Sequence, residues 1–393
     1  MKVLKKIFSN KGVLTLISSL LCILLGLFVG YIVLLCINPE GAWKAIVVLV
    51  KNCFYYTKKE KVLSYLGSTL VKTAPLLLCS LSVLFAYKAG LFNIGASGQY
   101  AVGAGVCLWL ALGPHLPWYV CILAAMAAGA LWGTLSGLLK AFCNVNEVIS
   151  CIMLNWISLY LVNELLKTVK EGASPNTLQL AKNGAQALLP SLGLGKLFAG
   201  NKFVTVAIPI SVIVAVIVWV VLEKTKFGYE LKATGFNRHA AKYCGMKEKR
   251  NIVLTMAIAG MISGLAAAML YLTGIEQWHT SASSVPSMGF DGIAAAFLGG
   301  LHPIGTIFSS YFIKHISLGG AYIDKSLYSA QVSDLIAAII IYLCAFVLFF
   351  KQFMMSRLTR SRAAAKPPVP ESEKTESLAS AEDKPEENGK ENN

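Results

Sequence analysis

The sequence has few charged residues for its length. Only 14% of its 393 residues are Asp, Glu, Lys or Arg, whereas 56% are apolar and the mean hydropathy is +0.62. In soluble globular domains, about 25% of the residues are charged. This deficit excludes an ordinary soluble fold and predicts a chain that is embedded in a lipid bilayer.

The sequence also lacks the common signatures of nucleotide and metal binding. No GxxxxGK[ST] segment occurs, so the chain has no P-loop to hold the phosphates of ATP. Its ten cysteines form no CxxC pair and no Cys/His cluster with zinc spacing, and most lie in apolar runs. We therefore predict no cofactor, no metal site and no enzymatic activity. A disulfide between Cys36 and Cys53 stays open.

The apolar segments predict an all-α polytopic membrane protein with about ten transmembrane helices. The first segment, Gly12 to Ile37, is too long for the core of a signal peptide and is expected to span the bilayer. Residues 42–50 are expected to lie at the membrane interface, and residues 167–202 to form a loop with little regular structure. The other nine spans are expected near residues 69–87, 92–112, 118–139, 148–166, 204–222, 251–272, 289–301, 304–318 and 333–350.

The distribution of positive charge predicts the orientation of these spans. Residues 223–250 contain eight Lys or Arg against three acidic residues, and such basic loops are typically cytoplasmic. We expect this loop and both termini in the cytoplasm, with a permease domain over residues 1–365 and a disordered tail over 366–393. The interior of the loop, between Gly235 and Gly245, predicts a short helix. This basic loop is either a docking surface for a partner or only a run of positive charge that fixes the orientation of the spans.

The stretch from Ala86 to Gly105 combines glycines with polar residues inside an apolar region. It includes Asn93, Ser97 and Gln99. A broken helix at membrane depth survives only inside protein or along a water-filled cavity. Close helix packing is one explanation. We favour a discontinuous helix that lines the path of a polar solute, joined by Asn155 from the fifth span. Asn93 and Ser97 share a helix face if the helix is continuous there.

The second half of the chain contains a corresponding interruption. Residues 289–300 are short and glycine-rich, and spans seven to ten are expected to run opposite to spans two to five. Interrupted segments at corresponding positions of two inverted repeats indicate the binding site of a transporter. Phe290 and Asp291 begin this segment. Three roles are open for the carboxylate of Asp291. It contacts solute hydroxyls, it pairs with a lysine, or it is only stabilised by the positive end of the helix dipole.

Four ordered stretches resemble the permeases of ABC importers for nucleosides and simple sugars. FNIGASGQ at Phe92–Gln99 is similar to the FNIGAEGQ motif of that family. The other three are EVISCIMLNWI at Glu147–Ile157, GFNRHAAKYCGM at Gly235–Met246, and GFDGIAAAFLGGLHPIG at Gly289–Gly305. The resemblance covers roughly residues 13–350. In one departure, Ser97 stands where the family usually has Glu.

This resemblance implies a permease subunit in a bacterial cytoplasmic membrane, most similar to the nucleoside branch. A simple-sugar importer is the alternative. The implied partners are a separate ATPase, a second similar permease and an extracytoplasmic solute-binding lipoprotein, with no nucleic acid. The resemblance of the third stretch implies an ATPase-coupling helix, whose candidate residues are Gly235, Asn237, Ala240, Ala241 and Gly245. The candidate residues of the solute path are Asn93, Ser97, Gln99, Asn155, Phe290 and Asp291.

A proteolytic function is the main alternative outside transport. Gly95 to Gly98 fit the GxSG pattern of rhomboid-type intramembrane serine proteases. That chemistry needs a general base within hydrogen-bond reach of the serine. His302 is the candidate base in a broken membrane segment, but the residues around it lack the rhomboid pattern. We therefore favour transport over proteolysis and over a membrane scaffold without transport activity.

Overall fold

The structure is a computed structural model that describes residues 11–320, 326–329, 331–344, 346, 349–350, 352–353 and 356. The chain divides into Met1–Leu348 and Phe349–Asn393. The account below concerns the first of these units. The predicted cytoplasmic tail at 366–393 and the first ten residues lie outside the described part of the chain.

The regular structure of the described residues is helical, apart from two isolated β-bridges. Short 3-10 helices follow α2 and α6, and a third lies at Ala185–Ala187. The α-helices are α1 Lys11–Ile37, α2 Ala42–Lys51, α3 Lys59–Lys88, α4 Ala96–Leu112, α5 Trp118–Cys143, α6 Glu147–Leu166, α7 Leu180–Asn183, α8 Leu194–Leu197, α9 Ala207–Lys224, α10 Lys226–Phe236, α11 Arg238–Tyr243, α12 Glu248–Tyr271, α13 Met288–Leu298, α14 Pro303–Gly319 and α15 Gln331–Cys344.

Within the described residues, six helices are long and apolar enough to cross a membrane. They lie at Ile17–Ile37, Lys59–Lys88, Trp118–Cys143, Glu147–Val169, Ala207–Lys224 and Glu248–Tyr271. The apolar helices α4 and α13 are shorter, with 17 and 11 residues. The predicted all-α polytopic membrane protein is therefore confirmed. Helices occupy all ten predicted positions, but α13 is too short to cross a bilayer alone, and the number of crossings stays a prediction.

Three segments between the spans contain more regular structure than the sequence indicated. The interfacial segment forms α2 as expected, but α3 begins at Lys59, ten residues before the expected start of the second span. Residues 167–202, expected to be a loop, contain α7, α8 and two 3-10 helices. The basic loop contains the predicted short helix α11 and, before it, α10. Cys36 and Cys53 are free, so no disulfide joins them.

The helices of the two halves pack in corresponding pairs. α3 packs against α13 as α12 packs against α4, and α14 packs against α3 as α5 packs against α12. α3 and α12 run antiparallel. Lys72 of α3 pairs with Glu276, just beyond the end of α12, at 2.8 Å. At the other end of the α3 and α12 pair, α10 contacts the last residues of α3 and the first residues of α12. This end of the molecule is called the α10 end below. This arrangement agrees with the predicted inverted repeat.

Glycines bring the central helices into backbone contact. A Cβ atom added to Gly264 of α12 would lie 3.3 Å from the Cα of Gly129 in α5, and one added to Gly260 would lie 3.2 Å from the Cα of Gly133. A Cβ atom added to Gly103 of α4 would lie only 2.6 Å from the Cα of Gly264. Small residues at such crossings allow close approach without a hydrophobic driving force between helices. α4, α5 and α12 therefore form a tightly packed centre.

Candidate functional site

The polar stretch predicted at the first interruption lies in a gap between two helices. α3 ends at Lys88, and the carbonyls of Ala86 and Tyr87 accept hydrogen bonds from Leu91 N and Gly90 N, each at 3.0 Å. Gly90 has φ of 72°, which glycine adopts readily in this type of helix end. α4 begins only at Ala96. Asn93 therefore precedes the helix, and the condition for a shared helix face with Ser97 is not met.

Asn93 and Gln99 form a reciprocal pair of amides in this gap. Asn93 Nδ2 donates to Gln99 Oε1 at 2.9 Å, and Gln99 Nε2 donates to Asn93 Oδ1 at 3.1 Å. Asn93 Nδ2 also donates to Ser82 Oγ of α3 at 3.1 Å, and Ser263 Oγ of α12 donates to the same oxygen at 2.9 Å. These side chains are buried. The gap is thus connected to α3 of the first half and to α12 of the second half.

Asn155 of α6 caps the start of α4. Its Oδ1 accepts from Gly98 N at 2.9 Å, and its Nδ2 donates to Ile94 O at 3.1 Å. The N–H groups of the first helical turn have no partner within the helix, so a side chain from elsewhere has to satisfy them. A Cβ atom at Gly98 would lie 2.6 Å from Asn155 Oδ1, which explains the glycine. The polar group predicted on the fifth span therefore lies at the interruption.

Ser97 lies where the two interrupted segments meet. A Cβ atom added to Gly289, at the start of α13, would lie 2.7 Å from the Cα of Ser97. The N-termini of α4 and α13 therefore face each other, and each carries a partial positive charge. Ser97 Oγ is fully buried and has no hydrogen-bond partner among the described residues. An unpaired buried hydroxyl costs about 1–3 kcal/mol, so this group is a candidate contact for a solute.

The two candidates on α13 are separate from the amide pair. Asp291 Oδ2 lies 3.3 Å from Lys314 Nζ of α14, and both side chains are mostly buried. Of the three expectations for this carboxylate, the lysine contact is present, and its place in the first turn of α13 also favours it electrostatically. Phe290 is 42% exposed. Neither side chain has a hydrogen bond to Asn93, Ser97 or Gln99 within the described residues.

A group of aromatic residues that begins in α4 escaped the sequence analysis. Tyr100, next to Gln99, contacts Tyr271 with ring centroids 6.2 Å apart, and Tyr271 contacts Trp278 at 5.9 Å. Trp278 Nε1 donates to Asn163 Oδ1 at 2.9 Å, and Trp278 O accepts from Thr177 N at 2.9 Å. Trp278, in the polar segment between α12 and α13, is buried. These contacts cover the site at the end opposite the α10 end, and the alignment of Asn163 with Asn155 on α6 was the available signal.

The candidate coupling residues lie at the α10 end. Asn237 Oδ1 accepts from Ala240 N at 3.0 Å and so caps α11, which ends with Met246 N donating to Ala241 O at 3.0 Å. Gly245 has φ of 77° at this end. A Cβ atom on Gly235 would lie 2.6 Å from Gly90 N, so the loop packs against the gap after α3. Ala240 is exposed, whereas Ala241 is buried.

Two exposed aromatic residues lie at the two ends of α11, one just before it and one at its last position. Phe236 and Tyr243 are 91% and 92% exposed, although large apolar side chains gain most from burial. Aromatic residues are enriched among the residues that contribute most to protein interfaces. The coupling candidates named from the sequence include neither, because they followed the glycines of this loop and an aromatic residue between spans has no distinctive spacing.

Comparison with known proteins gives a family and several relatives. Residues 65–345 match the family described as "Branched-chain amino acid transport system / permease component". The chain is 35% identical over 306 residues to the guanosine ABC transporter permease protein NupP of Bacillus subtilis, covering 76% of this chain and 86% of that protein. It is 32% identical over 307 residues to the nucleoside ABC transporter permease protein NupB of Lactococcus lactis, covering 76% and 84%. It is 30% identical over 350 residues to the glucose ABC transporter permease protein TsgB13 of Haloferax volcanii, covering 86% and 88%. No solved structure matches the chain significantly.

Proposed function

Because the chain belongs to the family of branched-chain amino acid transport system permease components, we propose that it is the membrane-spanning subunit of an ABC importer for nucleosides. The most similar relatives reported above are permeases named for guanosine and nucleoside transport. In this proposal the chain binds and passes the solute, and a separate subunit hydrolyses ATP. The chain itself is then a transport subunit and not an enzyme.

The buried amide cluster is the observation that supports a neutral, hydroxyl-rich solute. Asn93, Gln99 and Asn155 provide donors and acceptors around the gap before α4, and the hydroxyl of Ser97 lies beside them. The nearby charges of Asp291 and Lys314 neutralise each other. The amides of Asn93 and Gln99, which bond to each other in this structure, are able to exchange those bonds for bonds to ribose hydroxyls or base edges. A site without an unpaired fixed charge suits a nucleoside better than an ion.

Coupling to ATP hydrolysis is proposed to occur through α10 and α11. We place this end in the cytoplasm because of its basic residues, and both termini on the same side. The exposed Phe236 and Tyr243 are suited to a groove of the ATPase. Gly235 packs on Gly90, three residues before Asn93, so a displacement of α10 would be passed to the amide pair. Gly235 thus acts within the chain, while Ala240 and the two aromatic residues face the partner.

The other proposed partners follow from the resemblance and the relatives. A second, similar permease completes the pathway, and an extracytoplasmic lipoprotein delivers the solute to the end covered by Trp278. The permease domain is proposed to extend over residues 1–365, followed by a cytoplasmic tail at 366–393. A simple sugar is the second candidate solute, because the glucose permease protein of Haloferax volcanii is 30% identical over 86% of the chain.

Uptake by the complete importer tests the solute. We would reconstitute the permease pair, the ATPase and the binding protein in proteoliposomes and measure ATP-dependent uptake of labelled guanosine, ribose and glucose. Guanosine is expected to enter, and unlabelled nucleosides are expected to compete with it. Ser97→Ala removes a hydroxyl that has no hydrogen-bond partner among the described residues, so the fold should be kept while uptake falls by up to about tenfold. Asn183→Ala, at the exposed end of α7, serves as the control. If only ribose or glucose enters, the nucleoside assignment is wrong.

A further inference from the structure

A cavity of about 650 Å³ opens at the α10 end, outside the proposed solute path. One wall consists of Leu138 and Phe142 from α5 and of Val253 and Leu254 from α12. These residues lie in the last two turns of one candidate membrane span and the first two turns of another. Phe142 is 63% exposed. The apolar wall therefore lies near the boundary between hydrocarbon and headgroups.

The opposite side of the cavity is strongly basic. Lys242 of α11 and Lys247, Lys249 and Arg250 around the start of α12 contribute four positive charges, against one carboxylate, Glu248. Within the described residues, none of these four cations forms an ion pair. Lys249 Nζ lies 5.1 Å from the centroid of the Phe142 ring, so charge and apolar surface adjoin directly. An anion bound here would meet several uncompensated cations.

We propose that this cavity binds a glycerophospholipid with an anionic headgroup. The phosphate would lie between Lys242, Lys247 and Arg250, and an acyl chain would extend over Phe142 and Val253 towards the bilayer. A soluble anion would use only the basic side, and a neutral lipid only the apolar wall. Each Lys or Arg near an anionic membrane surface contributes about 1 kcal/mol of attraction, and basic pockets between membrane helices are suited to lipid headgroups. This proposal depends on membrane insertion and not on the identity of the transported solute.

The position of the cavity gives the lipid a structural role. Lys242 belongs to α11, and Met246 closes that helix by donating to Ala241 O at 3.0 Å. A phospholipid in the cavity would therefore bridge α11 to the end of α5 and the start of α12. We expect the bound lipid to hold α11 in a fixed position relative to the membrane.

Native mass spectrometry of the assembled importer tests the proposal. The importer would be purified from nanodiscs that contain phosphatidylglycerol or phosphatidylcholine, and the lipid that remains bound would be counted. The test variant combines Lys242→Gln, Lys247→Gln and Arg250→Gln. The control combines Lys170→Gln, Lys182→Gln and Lys196→Gln, three exposed lysines in a segment between other spans. We expect the test variant to bind phosphatidylglycerol about a hundredfold more weakly, with the control unchanged.

Several outcomes would overturn the proposal. Equal retention of the two lipids would show that the headgroup charge is not recognised, and an equal loss in the control would show only general surface attraction. If the test variant loses its ATPase subunit but keeps phosphatidylglycerol, the cavity is a docking surface for protein. Displacement of the lipid by millimolar glycerol 3-phosphate would indicate a site for free phosphate esters. A variant with Lys247→Arg and Arg250→Lys keeps the charge and should retain the lipid, which separates charge loss from misfolding.

Discussion

At the scale of single residues, the site depends on Asn155, whose side chain satisfies backbone groups of a distant segment. Asn155 bonds to Gly98 N and Ile94 O, which lie 57 and 61 residues away along the chain. The sequence indicated the importance of Asn93, Ser97, Gln99 and Asn155, because polar side chains are costly in apolar surroundings. It could not indicate their partners, since these depend on which helices are neighbours.

Replacement of Asn155 by alanine is expected to destabilise the protein. The change leaves the buried Gly98 N–H and the half-buried Ile94 carbonyl without a partner, and the loss at Gly98 alone costs about 1–3 kcal/mol. The midpoint of thermal unfolding in detergent should therefore fall by several degrees, while Asn183→Ala, at the exposed end of α7, should leave it unchanged. An unchanged midpoint for Asn155→Ala would mean that water or lipid satisfies the two groups.

Accessibility of Ser97 distinguishes a solute path from a packing contact. Its side chain is fully buried and touches the start of α13, so Ser97→Cys in a background without native cysteines should not react with an aqueous thiosulfonate at rest. During ATP turnover the two helix ends have to separate if solute passes between them. Labelling should then appear, and added nucleoside should reduce it. A cysteine that stays unreactive while uptake continues would move the path elsewhere.

At the scale of elements, the sequence indicated the interrupted helices better than the ends of the regular ones. The glycine-rich segments around Asn93 and at residues 289–300 mark the start of α4 and the short α13. The start of α3 was missed because hydropathy detects only the part of a helix that lies in the bilayer, and Lys59–Lys61 extend this helix beyond the apolar run. α10 was missed because its charged and polar residues resemble a loop in composition.

Two glycines of the basic loop are needed for different reasons. Gly235 leaves room for close packing, whereas Gly245 adopts a positive φ. Gly235→Ala would place a Cβ atom 2.6 Å from Gly90 N and push α10 away from the gap after α3. Uptake should fall about tenfold, which corresponds to 1–2 kcal/mol of lost coupling. Gly245→Asn is the control, because asparagine tolerates a positive φ and no atom lies within 4 Å of a Cβ there. Equal uptake by the two variants would mean that the Gly235 contact transmits nothing.

At the scale of the whole molecule, the inverted repeat was predictable from the order of its interruptions. Its packing was not. The antiparallel contact of α3 with α12, and the cover formed by Trp278 over the site, join residues that are far apart in sequence. Aromatic residues between spans are common at membrane interfaces, so the sequence did not indicate that Trp278 is buried. Its burial depends on residues 167–189, whose fold no local pattern indicated.

The chain alone is expected not to hydrolyse ATP. It lacks a P-loop, and its basic α10 end is proposed to be a docking surface for a separate ATPase. The purified chain should release no phosphate from ATP, whereas the assembled importer should release phosphate faster when solute and binding protein are present. Turnover by the chain alone, retained after a further purification step, would contradict the assignment as a permease subunit.

Docking of the ATPase is expected to require the aromatic residues at the two ends of α11. Phe236→Ala with Tyr243→Ala removes two side chains that are more than 90% exposed, so folding and membrane insertion should be unaffected. Co-purification of the ATPase should fall by at least about tenfold, as expected when residues that contribute strongly to an interface are truncated. Tyr229→Ala, at another exposed aromatic residue of α10, is the comparison. Full retention of the ATPase by the double variant would place its docking site elsewhere.

The contact between α5 and α12 limits how such a transporter can move. These helices belong to opposite repeats, and their glycines leave no side-chain layer between the two backbones at the crossing. A layer of side chains can slide by changing rotamers, whereas two backbones in contact have no such freedom. The two repeats therefore cannot slide past each other along the crossing of α5 and α12, and these two helices form one rigid unit. We therefore expect alternating access to come from elements that move against this rigid unit, among them the gap before α4 and the short α13.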